Sequence, residues 1–350
     1  MKRLFALLLS AVLMLCAFCS CTKALPEYQK QDGKLTVVTT IFPYYDFLRN
    51  IADDKINLRL LLPPGSEPHD YEPSPSDIIE INNADLFIYT GGESDAWAES
   101  VLNGIDSSVH TLRLIDFVEP VMVEDEHEHH ADSIYGAKEE EHAQSEFDEG
   151  QDEHSHSDSA FENDHQSEAE HGEGSEQDEH IWTSPENAVI ITQTISTEIQ
   201  KIDSENAEYY KSTTAEYLKK LNDLDNEFKE IREDASRDMI VFGDRFPIVY
   251  LAKELSLNYD CAFPGCSHDT EPGITTVKRL INTVRDNDIP VVFYLDFSNR
   301  AVADLLCEDS NAVAQRYHSC HNVSAEDFNS GVTYIDLMEQ NACALREALN

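Results

Sequence analysis

Strand-like and helix-like segments alternate twice along this chain, on either side of a stretch that has no such rhythm. LTVVTTI (35–41) is rich in β-branched residues and predicts a buried strand. The segment 42–54 follows with helical spacing of Tyr44, Phe47, Leu48 and Ile51. A strand at 56–62, a helix at 73–83 started by Ser74-Pro75-Ser76, a strand at 86–90, a helix at 93–102 and a strand at 109–115 continue the pattern. It resumes with strands at 239–243, 257–263, 290–297 and 315–320, and with helices at 247–256, 274–286, 299–307 and 331–348. Strand and helix taking turns at this spacing imply βαβ units around a parallel sheet.

Between the two halves lie a helix to about residue 201 and a longer one from about 204 to 235. The longer one carries Leu218, Leu221, Leu224, Phe228 and Ile231 as one apolar stripe. The expected fold class is therefore α/β: two βα lobes, each with a parallel sheet, joined by a long connecting α-helix. In open α/β sheets ligands sit at the carboxyl ends of the strands, so the expected site lies in the cleft between the lobes.

The stretch 119–179 breaks the rhythm. From Val121 to His180 there are 22 Asp and Glu against one basic residue, Lys138, so about half of the net charge of −43 falls there. With few large apolar residues it cannot bury enough surface to order itself, and it predicts a long mobile insert. The acidic balance excludes a nucleic-acid partner, which would need clustered Lys and Arg.

Lys2 and Arg3, then an apolar run to Phe18, predict a secretory signal too short to span a bilayer. Cys16, Cys19 and Cys21 stand at its end, and Cys21 resembles the lipobox cysteine of bacterial lipoproteins; a cleaved signal without lipid is the alternative. The expected division is 1–20 signal peptide, 21–33 lipid-anchored linker, 34–118 N-terminal lobe and 119–179 acidic loop. It continues with 180–203 as a helix completing that lobe, 204–236 connecting helix and 237–350 C-terminal lobe. The remaining cysteines, Cys261, Cys266, Cys307, Cys320 and Cys343, are odd in number and lie in a disulfide-permissive compartment. Pairing does not follow from spacing. Cys266 and Cys320 fall near neighbouring strand ends, where a disulfide would stiffen the site; thiolates ligating a metal are the alternative.

Placed at strand ends or where the insert closes are His69, His180, Asp244 with Arg245, Asp296, His318 and His321. Imidazoles and carboxylates are the ligand set for Zn²⁺, Mn²⁺ or Fe²⁺. A lone His is more often a hydrogen-bonding surface residue, and His110, inside a strand, and His268 are read that way.

LLPPGSEPHDYEPSPSDIIEINNADLFIYTG (61–91) and DEHIWTSPENA (178–188) closely resemble motifs of the metal-binding receptors of zinc and manganese ABC importers. The resemblance covers essentially the whole mature chain and implies that His69 and His180 are the first and second metal ligands. The C-terminal lobe departs from the family pattern. Gapless matching places Arg245 where the third ligand belongs, and a guanidinium cannot ligate. Asp244 takes that place with a shift of one residue. Either His318 or His321, in YHSCHNVS (317–324), falls near the fourth. This combination is similar to a subgroup of the family from anaerobic Gram-positive bacteria.

The resemblance implies a monomeric receptor on the outer face of the membrane, held by its lipid, that passes the ion to a permease and its ATPase. His127, His129, His130, His142, His154, His156, His165 and His171 in the insert would then bind metal weakly and raise its local concentration. Richness in imidazole favours Zn²⁺, with Mn²⁺ or Fe²⁺ as alternatives. Two rival functions stand beside it. A surface metal buffer or adhesion lipoprotein would lack the permease. A metallohydrolase would need an open coordination position and a general base, and no HExxH motif is present.

Overall fold

The computed structural model describes residues 31–105, 109–123, 176–265, 271–308 and 310–350. The export signal, Cys21, the insert histidines, Cys266 and His268 lie outside these residues.

The N-terminal sheet is built from β1 (Leu35–Thr39), β2 (Ile56–Leu60), β3 (Leu86–Tyr89) and β4 (His110–Arg113), ordered β2-β1-β3-β4 with every pair parallel. Helices α1 (Phe42–Ala52), α2 (Pro75–Asn82) and α3 (Ala96–Gly104) make the crossovers. α2 starts at a capping box: Ser74 accepts from the Asp77 N–H, and Asp77 accepts from the Ser74 N–H. After α4 (Pro185–Ile202) and α5 (Ala207–Glu233) the second sheet forms from β7 (Met239–Arg245), β8 (Asn258–Phe263), β9 (Val291–Leu295) and β10 (Val313–Tyr317). Its order is β10-β9-β7-β8, again parallel throughout. Helices α6 (Val249–Glu254), α7 (Ile274–Asp286) and α8 (Ala301–Glu308) connect these strands, and α9 (Ala325–Ser330) and α10 (Tyr334–Leu349) close the chain.

The α/β class with two parallel sheets is as expected, and two local readings change. The helix expected over 331–348 is α10, started at 334 by a Thr333–Asp336 capping box, and a further short helix, α9, precedes it and ends at Gly331 with φ 82°. The last strand ends at Tyr317 rather than 320. The backbone of His318 instead exchanges hydrogen bonds with the side chain of Asn341, at 2.7 and 2.8 Å.

At 27 residues α5 runs roughly 40 Å. It buries Tyr210, Tyr217, Leu221, Leu224, Phe228 and Ile231. One apolar cluster includes these residues together with Phe47 of α1, Ile195 of α4, Phe242 of β7 and Leu345 of α10. The two sheets therefore share a continuous core. Each fully buried side chain of this size contributes about 1.5–3 kcal/mol, so α5 is held by packing on both halves rather than acting as a bare tether.

At the ends of the insert, β5 (Met122–Val123) and β6 (Glu176–Gln177) pair antiparallel. No described helix is long and apolar enough to cross a membrane.

Candidate metal centre

Three imidazoles converge between the carboxyl ends of the two sheets. One ring nitrogen from each of His69, His180 and His321 lies within 4.8 Å of the other two. The ring centroids are 5.8 Å apart for His69 and His180, 5.3 Å for His69 and His321, and 5.9 Å for His180 and His321.

Each ring arrives by a different local device. His69 sits in a 3-10 turn, Pro68–Asp70, after Gly65, whose φ of 89° suits glycine. That turn is gripped by the opposite half: Gly65 N–H donates to Val323 O at 2.8 Å, and Asn322 Nδ2 donates to Pro63 O and Ser66 O at 2.9 and 2.8 Å. His180 precedes the 3-10 turn Ile181–Thr183, and its carbonyl accepts from Thr183 Oγ1 at 2.8 Å. His321 follows Cys320, a non-glycine residue at φ 58°. Its carbonyl accepts from Phe42 N–H at 3.2 Å, and its ring packs on Trp182 at 4.6 Å.

Behind the rings stand carboxylates. Asp178 Oδ1 lies 3.2 Å from His180 Nδ1 and also accepts the His180 N–H at 2.8 Å. Glu179 accepts Ser94 N–H at 2.9 Å and the Ser94 hydroxyl, and Ser94 Oγ is 2.9 Å from His69 Nδ1. Burial, with repulsion from His69, His180 and Arg245, holds His321 well below the ordinary imidazole pKa. The ring is therefore neutral at pH 7, the form that offers a lone pair to a metal. The space between the rings is a cavity of about 20 Å³, lined also by Glu67, Arg245 and Asp296. That matches one ion or one water.

The other sequence candidates stand outside this group. Asp244 is buried, but its Oδ1 accepts Arg245 N–H at 2.8 Å and its Oδ2 accepts Leu295 N–H at 2.9 Å, so it ties the end of β7 to β9. His318 Nδ1 is 3.9 Å from Asp296 Oδ1, and burial pushes the ring pKa down to about 4. Arg245 reaches Glu67 of the opposite half, Nη1 to Oε1 3.4 Å. Asp296 accepts Ser319 N–H at 2.8 Å, and burial pushes its carboxyl up to about 6. Cys320 is a buried free thiol. His110 is a surface residue paired with Glu198 at 2.6 Å. Sequence reasoning passed over Ser94, Asp178 and Glu179. The last two adjoin His180 in the chain, whereas nothing in the sequence links Ser94 to a partner 85 residues away.

Two parallel-sheet halves locked by a long helix, with imidazoles from both meeting in a buried pocket, define a metal-ion receptor. The family model described as zinc-uptake complex component A, periplasmic (ZnuA), matches residues 37–348. The chain belongs to this family. It is 30% identical over 345 residues to the high-affinity zinc uptake system protein ZnuA of Bacillus subtilis, covering 97% of this chain and 96% of that one. It is 27% identical over 336 residues to the zinc-binding lipoprotein AdcA of Streptococcus pneumoniae, covering 96% of this chain and 60% of that longer protein. Among solved structures, the metal-dependent lipoprotein YcdH of Bacillus subtilis superposes with a TM-score of 0.68 at 27% identity, covering 91% of this chain and all of that one.

Proposed function

We propose that this chain captures Zn²⁺ outside the cytoplasm through His69, His180 and His321, and delivers it to an importer permease driven by its ATPase. The observation that carries the reading is the convergence of three buried imidazole nitrogens within 4.8 Å. Tetrahedral zinc sites take imidazole at about 2.0–2.1 Å, and ligand nitrogens around such an ion stand roughly 3.3 Å apart. The rings therefore need only a small inward adjustment. Three imidazole donors suit zinc better than manganese, which prefers harder oxygen ligands. In this reading Asp244 and His318 brace the strand ends and the loop that presents His321, because both Asp244 oxygens already accept backbone N–H groups.

Membership of the family supports the extracytoplasmic placement and the importer partner. We assign Cys21 as the lipid-bearing residue, and the histidines of the insert as weak sites that feed the cleft. In this reading one chain completes the site, because it supplies all three rings.

Titration of the chain with Zn²⁺, Mn²⁺ and Fe²⁺ under chelator competition tests the assignment. One tight equivalent of zinc, with weaker manganese and iron, is expected, and His69→Ala abolishes it. Retention of tight one-to-one zinc binding by His69→Ala overturns the site. Loss of tight binding on removing residues 124–175, which leaves Asp178 and Glu179 in place, would make the insert the primary site.

A further inference from the structure

We infer that Ser94 and Glu179 are positioning residues that fix the tautomer of His69, so that its Nε2 lone pair faces the ion. The inference rests on the zinc-capture reading above and adds residues that touch no metal.

Ser94 lies in the turn between β3 and α3, and Glu179 immediately precedes His180. The Glu179 carboxylate accepts twice from Ser94: Oε2 takes the backbone N–H at 2.9 Å and Oε1 takes the hydroxyl. A serine hydroxyl has one hydrogen. Once that hydrogen is given to Glu179, Ser94 Oγ can only accept from His69 Nδ1, 2.9 Å away. His69 Nδ1 must then carry the proton, and a neutral imidazole protonated at Nδ1 holds its lone pair on Nε2. Asp178 imposes the same tautomer on His180 directly, because a carboxylate 3.2 Å from Nδ1 accepts and does not donate. The tripeptide Asp178-Glu179-His180 thus orients one ring by contact and a second ring through Ser94.

The backbone around Ser94 is shaped for this approach. Gly92 has φ 118°, and a Cβ there would stand 2.9 Å from both Cβ and Oε2 of Glu179. Only glycine lets the turn come close enough for Glu179 to take both Ser94 donors. Glu179 has to be a carboxylate for the same reason. Glutamine offers one acceptor oxygen where two donors arrive, which frees the Ser94 hydroxyl to turn and donate to His69 Nδ1. That rotation moves the His69 proton to Nε2 and removes the ligand lone pair.

The test uses the full chain labelled with ¹⁵N at histidine, with His69 assigned by its loss in His69→Gln. Long-range ¹H–¹⁵N correlations on the metal-free protein read the tautomer, and chelator competition reads zinc affinity. In the wild type and in Ser94→Thr, which keeps the hydroxyl, His69 is expected as the Nδ1–H form with equal zinc affinity. Ser94→Ala and Glu179→Gln are expected to lose about 10–100-fold in zinc affinity, the range for outer-shell partners of metal-binding histidines. In Glu179→Gln the His69 signals move to the Nε2–H pattern. Thermal midpoints of the metal-free variants separate this effect from misfolding. An Nε2–H form of His69 in the wild type, or wild-type zinc affinity in a folded Ser94→Ala, overturns the inference. If the wild type itself binds no zinc tightly, the capture reading fails instead, while the tautomer of the metal-free protein still judges the relay.

Discussion

Arg245 Nη1 stands 3.4 Å from Glu67 Oε1, so a guanidinium from the end of β7 crosses to the turn that carries His69. Both side chains border the cavity between the three imidazoles. A fixed positive charge next to a site for a divalent cation opposes its binding. The pair itself is partly exposed, and such pairs are worth about 0.2–1 kcal/mol. Arg245→Gln is therefore expected to leave thermal stability within about 1 kcal/mol and to tighten zinc binding roughly fivefold or more, about 1 kcal/mol of relieved repulsion. Isothermal titration beside a melting curve checks both halves of this statement, and weaker zinc binding would count against it.

His318 and His321 are separated by two residues and have different surroundings. His321 joins His69 and His180, whereas His318 lies toward Asp296. His321→Ala is expected to weaken zinc binding by about two orders of magnitude, around 3 kcal/mol, as befits a lost ligand. His318→Ala is expected to change it less than fivefold. A reversal of the two effects in chelator competition would move the third ligand to His318.

Asn322 clamps the His69 turn through two hydrogen bonds, to Pro63 O at 2.9 Å and Ser66 O at 2.8 Å. Removing a buried donor leaves two acceptors unmatched, at about 1–3 kcal/mol. Asn322→Ala should lower the denaturation midpoint by that amount and speed zinc dissociation, because the turn bearing His69 is no longer held against the segment bearing His321. Stopped-flow release into excess chelator measures the rate, and an unchanged rate would rule out the clamp.

Glu254 is a pH-dependent element remote from the imidazoles. Burial, reinforced by Asp225, pushes its carboxyl up to about 7, although Ser184 Oγ donates to it at 2.7 Å and Lys229 lies 3.4 Å away. The unfolded carboxyl titrates near 4.3, so between that value and about 7 the folded chain holds a proton that the unfolded chain has released. The stability from this proton is complete below the unfolded pKa and is lost as pH rises through the folded one, a span of about 4 kcal/mol at most and less once solvent screens this partly exposed group. Glu254→Gln should flatten the fall in stability between pH 5 and 8 and raise the midpoint at pH 8. Denaturant melts across that range decide it, and an equal slope in the variant would refute the assignment.

Trp182 reports on the site directly. Its ring packs 4.6 Å from His321, and its Nε1–H donates to Ser319 O at 3.0 Å. With Trp97 as the only other tryptophan, zinc should change the emission of the wild type and leave that of Trp182→Phe nearly unchanged.

The sequence by itself determined the elements and most of their order. β-branched runs and 3.6-residue stripes are local properties, so both parallel sheets, the long α5 and the capped start of α2 follow from neighbours in the chain. His69 and His180 were legible because each sits in a short contiguous motif, whereas the parts played by Asp178 and Glu179 beside them were not. Tertiary structure decided what depends on contacts between distant segments. That His321 rather than His318 joins the other two rings follows from Asn341 binding the backbone of His318 beyond the sheet and from Cys320 at φ 58° redirecting the chain. Asp244 is drawn away by the Leu295 N–H, a partner 51 residues on. Arg245 finds its counter-charge 178 residues earlier, and Ser94 meets Glu179 across 85. No pattern of spacing encodes such pairs, because they exist only once the two sheets have packed around a common core.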